Sequence, residues 1–258
     1  MQQQNITTKK ILANLGINEL NEMQLASVKA NDENSNVLLL STTGSGKTIA
    51  FLLPVLQRLA PTIKNVQALI LAPSRELALQ IDEVFRKMGS GYKVVCCYGG
   101  HKREIEENSL VQPPAVIIGT AGRVADHLRR NNFSTGNIAT LVLDEFDKSL
   151  ELGFKEEMEF IIGSLPAVSK KILTSATNAP EIPAFVGFND AVKVEFLSPV
   201  VQKEPVDELL VQVVHSPEKD KVETLFRLVC QIGNKSIIVF CNHREAVERT
   251  SSLLKETG

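Results

Sequence analysis

The segment that most limits what this chain can fold into is Ser41-Thr42-Thr43-Gly44-Ser45-Gly46-Lys47-Thr48. It follows the short apolar run Val37–Leu40 and opens a stretch of helical periodicity at Lys47. A strand, a glycine-containing turn and a helix start are the context of a phosphate-binding loop. Gly44 and Gly46 let the backbone turn so that successive N–H groups converge on phosphate oxygens. The helix start adds partial positive charge at the same place. Lys47 can reach the β- and γ-phosphates, and the Thr48 hydroxyl can ligate Mg²⁺. Thr43 and Ser45 complete the loop, and Ser41 stands where the pattern has a glycine. The competing reading is an ordinary Ser/Thr/Gly turn before a helix.

Around this loop, short apolar runs alternate with amphipathic stretches. The runs are Val37–Leu40, Ala68–Ala72, Val94–Tyr98, Ala115–Gly119, Leu141–Leu143, Lys171–Thr174 and Val192–Phe196. Apart from the last, none has a clean period of two, which suits strands buried on both faces of a parallel sheet. The intervening segments Lys47–Leu59, Ser74–Met88, Ala121–Arg130 and Lys155–Leu165 read as helices. The expected fold is therefore a doubly wound α/β domain whose ligands sit at the carboxyl ends of the strands. The pattern lapses at 198–206, where Pro199 and Pro205 bracket a polar stretch expected to be a linker. It then restarts with strand Leu209–His215, helix Lys219–Gln231, strand Ser236–Phe240 and helix Arg244–Lys255. Residues 1–197 are thus expected to form one nucleotide-binding domain, and 207–258 the beginning of a second, incomplete one.

A second chemical signal is Leu141-Val142-Leu143-Asp144-Glu145-Phe146-Asp147, an apolar strand ending in carboxylates. Beside a phosphate-binding loop, Asp144 would hold Mg²⁺ through water and Glu145 would orient or deprotonate the attacking water. Alone, such a pair is a solvated loop.

Other classes are disfavoured. No apolar run approaches the ~20 residues of a membrane span, and the polar N-terminus lacks the apolar core of a secretory signal. Cys96, Cys97, Cys230 and Cys241 have neither zinc-ligand spacing nor the density of a disulfide framework, which suits reduced thiols in a cytoplasmic protein. His101, His127, His215 and His243 are scattered and read as surface or loop residues. The charged stretch His101–Glu107 reads as a solvated helix face. A net charge of −2 argues against binding nucleic acid through bulk electrostatics, so any such binding needs specific local contacts. A GTPase would want N-K-x-D, and Asn234-Lys235-Ser236-Ile237 lacks the aspartate.

Several further segments fall in an ordered series with these two: Pro73-Ser74-Arg75-Glu76-Leu77-Ala78, Gly99-Gly100, Thr120-Ala121-Gly122-Arg123, Asp144-Glu145-Phe146-Asp147, Leu152-Gly153-Phe154, Ser175-Ala176-Thr177 and Ile238-Val239-Phe240-Cys241-Asn242. In content and order the chain resembles the DEAD-box ATP-dependent RNA helicases over nearly its whole length. The resemblance implies a RecA-like first domain followed by part of a second. It implies that Gln24, after Gly16-Ile17, belongs to the motif that reads the adenine edge of ATP. A glutamine amide can both donate to N7 and accept from the N6 amino group. It implies that Ser74, Arg75, Gly100, Thr120 and Arg123 contact the sugar-phosphate backbone of single-stranded RNA, and that Asp147, Ser175 and Thr177 couple hydrolysis to strand separation.

The expected activity is RNA-stimulated ATP hydrolysis coupled to local duplex unwinding, with ATP and Mg²⁺ bound and Lys47, Asp144 and Glu145 at the chemistry. Arginines of a second RecA-like domain stabilise the transition state in this family. No motif of that type is present in 1–258, so these residues are expected to bind nucleotide and RNA, hydrolyse poorly and unwind nothing alone. An RNA-clamping scaffold with a decayed ATPase, and a DNA-acting helicase of the same superfamily, are the alternatives.

Overall fold

A computed structural model of the chain describes residues 8–177, 181–197, 211–217 and 219–257. The chain divides into two compact units, Met1–Val201 and Gln202–Gly258.

In the first unit the strands are β1 (Asn36–Ser41), β2 (Ala68–Ala72), β3 (Val94–Cys97), β4 (Val116–Thr120), β5 (Thr140–Leu143), β6 (Lys170–Ser175) and β7 (Val192–Phe196). Its helices are α1 (Thr8–Leu15), α2 (Glu22–Glu33), α3 (Lys47–Arg58), α4 (Arg75–Lys87), α5 (Arg103–Leu110), α6 (Ala121–Arg129), α7 (Phe146–Glu151) and α8 (Lys155–Gly163). The strands form one seven-stranded sheet in the order β3-β4-β2-β5-β6-β1-β7. Every pairing in it is parallel. Each expected strand is found, with ends shifted by a residue or so.

The runs of β1 to β6 lack alternation because both faces of the sheet are covered there, whereas edge strand β7, Val192-Lys193-Val194-Glu195-Phe196, does alternate and buries only Val194. Leu69, Leu71, Ile117, Leu141, Leu143 and Leu173 point to one face, where α6 and α8 supply Val124, Leu128, Met158 and Ile161. Ala68, Ile70, Ile118, Val142 and Ile172 point to the other, against Phe51, Leu52, Ile81 and Phe85 of α3 and α4. Successive side chains of a strand alternate sides, so a run apolar at every position fills two cores at once. Phe146, the bulky residue between the acidic positions, is fully buried in the first of these clusters.

The helices begin where local chemistry favours it. Ser74 caps α4 by accepting from Leu77 N at 3.2 Å, with Glu76 in the first turn and Arg86 and Lys87 in the last. That order of charges complements the helix dipole. At the start of α2, Asn21 and Gln24 form a reciprocal capping box.

The second unit contains α9 (Val222–Ile232) and α10 (Arg244–Thr257). The strands expected there are not formed among the described residues: 211–215 and 236–240 carry no ladder. A strand is stable only with a hydrogen-bonded neighbour and a covered face. Among the described residues of this unit neither run has one, and Val211, Ile238 and Phe240 stand 76%, 80% and 90% exposed. The expected linker at 198–206 lies outside the described residues.

Candidate nucleotide site and nucleic-acid edge

Register places the chemistry. Leu143 of β5 pairs with Leu173 of β6, and Leu40 of β1 with Ser175 of β6. The acidic motif leaving β5 and the loop leaving β1 therefore flank the end of β6 at the carboxyl edge of the sheet. Carboxyl ends are where ligands of open α/β sheets bind.

The loop after β1 has the two left-handed residues it needs. Gly44 has φ +82° and Gly46 φ +91°. At Gly46 an added Cβ would also lie 2.5 Å from Gln24 Nε2, so that amide would have to leave its place. Lys47, 8% exposed, folds back and donates from Nζ to Ser41 O at 2.7 Å and Thr42 O at 2.9 Å. Ser45 Oγ donates to Thr42 O at 2.8 Å, and the Ser41 hydroxyl donates to Ser45 Oγ. Thr48 follows in the first turn of α3, half-buried.

The acidic side is tied to β6. Thr174 Oγ1 donates to Asp144 Oδ1 at 2.6 Å and accepts from Glu145 N at 2.9 Å. Glu145 holds a left-handed φ of +44°, an uncommon conformation for a residue with a side chain. Ser175 Oγ and Thr177 Oγ1 each donate to Asp147 Oδ2 at 2.9 Å, while Asp147 Oδ1 is buried with no partner. Burial pushes the Asp144 carboxyl up to about 6, with Glu145 adding to the effect and the Thr174 hydroxyl and Lys47 opposing it. Burial also lowers the Lys47 ammonium, against the opposing pull of Asp144, Glu145 and Asp147. Lys47 and Asp144 thus lie close enough for each charge to act on the other.

The residues present fit a hard divalent cation. Asp144 and Glu145 are carboxylates 6% and 5% exposed, and the Thr48 hydroxyl supplies a further oxygen donor. An all-oxygen donor set suits Mg²⁺. A buried carboxylate pushed toward neutrality is one that added positive charge would stabilise.

Gln24 is not the surface residue that its helix alone suggests. It is 5% exposed, its Nε2 donates to Gly46 O at 3.2 Å, and its Oε1 accepts from Asn21 N at 3.0 Å. Asn21 Nδ2 donates to Ser45 O at 3.0 Å, so the start of α2 is bonded directly to the phosphate-binding loop. The N-x-x-Q spacing of a capping box was a legible signal for this geometry.

The other expected residues lie along the same edge, beyond β2, β3 and β4. Ser74 and Arg75 start α4, Gly100 lies in the turn after β3, and Thr120 and Arg123 flank the start of α6. Arg75 is exposed, and its guanidinium lies 5.0 Å from the centroid of the Tyr98 ring. Arg123 is turned inward, bonded to Glu106 Oε2 at 3.1 Å and His101 O at 3.2 Å. Two sequence expectations fail here. His127 is fully buried, and Glu106 is 2% exposed at the centre of a polar network, so the charged stretch is not simply a solvated face. The residues bonded to them, Tyr98, Arg123 and Asn132, lie outside the charged stretch, and charge pattern cannot reveal such pairings.

A parallel sheet with a phosphate-binding loop on β1 and an acidic pair on β5 defines a nucleoside-triphosphate-binding α/β domain. Comparison with known proteins narrows this. The sequence model of the DEAD/DEAH box helicases matches residues 21–184. The chain is 31% identical over 255 residues to the DEAD-box ATP-dependent RNA helicase CshA of Bacillus subtilis, covering 96% of this chain and 51% of that protein. It is 44% identical over 145 residues to the ATP-dependent RNA helicase DeaD of Escherichia coli, covering 55% of this chain and 23% of that one. The crystal structure of a DEAD box protein from the hyperthermophile Methanococcus jannaschii shares the fold, with a TM-score of 0.67 at 24% identity over 98% of this chain and 69% of the other. The chain belongs to the DEAD/DEAH box helicase family. It spans about half the length of the CshA proteins it matches. Among the described residues, no helix is long and apolar enough to cross a membrane.

Proposed function

We propose that this chain is the nucleotide-binding and RNA-binding part of an ATP-dependent RNA helicase, with residues 1–197 forming its first RecA-like domain and 207–258 belonging to a second. The observation that supports the reading is the register that brings the loop after β1, with Lys47, and the acidic motif after β5, with the buried Asp144 bonded to Thr174, to either side of the end of β6.

In this reading the N–H groups after Gly44 hold the phosphates of ATP. Lys47 exchanges its bonds to Ser41 O and Thr42 O for the β- and γ-phosphate oxygens. Thr48 and Asp144 would hold Mg²⁺, which supplies charge neutralisation on the phosphates. Glu145, its backbone fixed by Thr174, orients the attacking water and takes its proton. Gln24 reads adenine by giving up its bond to Gly46 O, so base recognition and loop shape are coupled through one amide. Asp147, Ser175 and Thr177 couple phosphate chemistry to movement of the RNA-facing segments. Along β2 and β4, hydroxyls, backbone N–H groups and an exposed arginine suit phosphate recognition without base reading. A few such aimed contacts suffice in a chain of net charge −2.

The test is competition binding on the purified chain. Fluorescent ATP should be displaced by ATP and ADP and not by GTP, with affinity dependent on Mg²⁺. Single-stranded RNA should bind in preference to DNA of the same sequence. Equal displacement by GTP would remove the adenine-reading role, and equal DNA binding would make the protein a general single-strand binder.

A further inference from the structure

Glu106 belongs to no motif that the sequence singles out, yet it organises the β3–β4 part of the sheet edge. Its carboxylate is 2% exposed and accepts hydrogen bonds from three separate places: Tyr98 N at 2.8 Å, Arg123 Nη1 at 3.1 Å and His127 Nε2 at 2.7 Å. His101 Nε2 lies 3.1 Å from the same carboxylate. Asn132 Nδ2 sits 2.8 Å from His127 Nδ1, and an amide nitrogen can only donate, so the imidazole proton is on Nε2 and points at Glu106. Burying a carboxylate is costly unless its charge is matched and its lone pairs filled, and here both conditions are met.

Cys97, Glu106 and His127 also place a thiol, a carboxylate and an imidazole within 4.8 Å of one another, all buried. The arrangement does not favour an ion. Arg123 already supplies the positive charge, and burial, followed by Glu106, raises the Cys97 thiol well above its ordinary value. A metal would have to displace the arginine and remove that proton. The cluster is a hydrogen-bonded strut.

What the strut holds is the turn 98–101. The Tyr98 ring lies under the Arg75 guanidinium at 5.0 Å and beside the His101 ring at 4.5 Å. Gly100 has φ +95°, and a Cβ there would come within 3.1 Å of Arg75 Nη1. The two arginines assigned to RNA are therefore in opposite conditions. Arg123 has a side chain 13% exposed and is bonded to Glu106 Oε2 and His101 O. Arg75 is exposed and has no carboxylate partner among the described residues.

We propose that Glu106 is a positioning residue for RNA binding. It uses Arg123 as an internal strut to fix the 98–101 turn, so that Tyr98 and Gly100 aim Arg75 at the phosphate backbone. Arg75 is then the arginine that this network presents to RNA. This rests on the reading that this edge binds RNA.

The experiment is a double-mutant cycle on the chain, read by fluorescence anisotropy with labelled single-stranded oligouridylate and by nucleotide binding to the same preparations. Arg75→Ala should weaken RNA binding and reduce the slope of log K against log salt by about 0.7, the loss of one phosphate contact on a single strand. Glu106→Gln should weaken RNA binding roughly tenfold in the unaltered background and have no further effect in the Arg75→Ala background, because coupled residues are non-additive. Nucleotide affinity should be unchanged throughout, which a general loss of folding would not allow. If Glu106→Gln does not fold, Tyr98→Leu removes the ring beneath Arg75 without touching the buried carboxylate and should give the same cycle. Additive losses, or full RNA affinity in both Glu106→Gln and Tyr98→Leu, would overturn the positioning role while leaving RNA binding at this edge intact. Failure of the unaltered chain to bind RNA would overturn both.

Discussion

The carboxyl edge of the sheet has two halves built on different principles. At the β5-β6-β1 end the working groups are buried and internally bonded: Lys47 to loop carbonyls, Asp144 to Thr174, and Asp147 to Ser175 and Thr177. At the β3-β4-β2 end one buried network, centred on Glu106, supports an arginine that is itself exposed. The difference follows from what each half would bind. A triphosphate and its cation are compact and highly charged, and preorganised groups in a water-poor pocket act on them most strongly. A nucleic-acid backbone is an extended row of single charges, met by side chains that reach into solvent. The nucleotide half carries local stability costs such as a left-handed Glu145 and a carboxylate forced toward neutrality.

That contrast can be broken by mutation. The largest effect belongs to Glu145→Gln, which should lower single-turnover hydrolysis by about 10²–10⁴ while nucleotide still binds, since it removes a general base and little else. Retained hydrolysis would remove Glu145 from the chemistry. Lys47→Ala should lower the same rate by roughly 10²–10³ and also weaken nucleotide binding, as expected for a preorganised charge on the phosphates. RNA affinity measured without nucleotide should not change in either variant.

A smaller and oppositely signed effect is expected for Asp144→Asn. The Asp144 pKa is about 6 in the folded chain, above its ordinary value of 3.8. The folded state therefore holds this proton more tightly than the unfolded state, and the group's contribution to stability is lost as pH rises from about 4 through 6. The amide that replaces the carboxyl does not titrate in this range but still accepts from Thr174. The variant should melt a few degrees above the unaltered chain at pH 7, converging with it near pH 4, and should lose Mg²⁺-dependent nucleotide binding. Equal melting temperatures at pH 7 would show that Asp144 carries no burial cost. In the same sense, Thr174→Val should destabilise the chain by about 1–3 kcal/mol, because it leaves Asp144 Oδ1 and Glu145 N without their shared hydroxyl.

How far the sequence reveals this architecture depends on whether a signal is local. Runs such as Ala68–Ala72 stand out because a strand enclosed on both faces is apolar at each position, whereas Val192–Phe196 is an edge strand that alternates and buries only Val194. The same kind of run at 236–240 forms no strand in the second unit, because pairing is a property of the surroundings and not of the run. The loop at Gly44–Thr48 and the pair Asp144-Glu145 drew attention because phosphate and metal chemistry would require those residues at those spacings, and the register sets the two segments on either side of the end of β6. Thr174 did not, since a threonine near the end of a strand is ordinary until register sets it beside Asp144. Glu106 was hidden more deeply. Its sequence neighbours are charged, and its partners Tyr98, Arg123 and His127 come from the end of β3 and from α6. Lys170 was missed for the same reason: it is fully buried, with Nζ donating to Asn31 O at 2.8 Å and to Asn34 O at the end of α2.

The central claim is that one sheet edge carries two separately built sites. Its most direct test is to measure nucleotide and RNA affinity on the same preparations of Lys47→Ala and Arg75→Ala. The account predicts a double dissociation: Lys47→Ala loses nucleotide and keeps RNA, and Arg75→Ala loses RNA and keeps nucleotide. If either substitution removes both affinities from a chain that remains folded, the two halves are one site and the account is wrong.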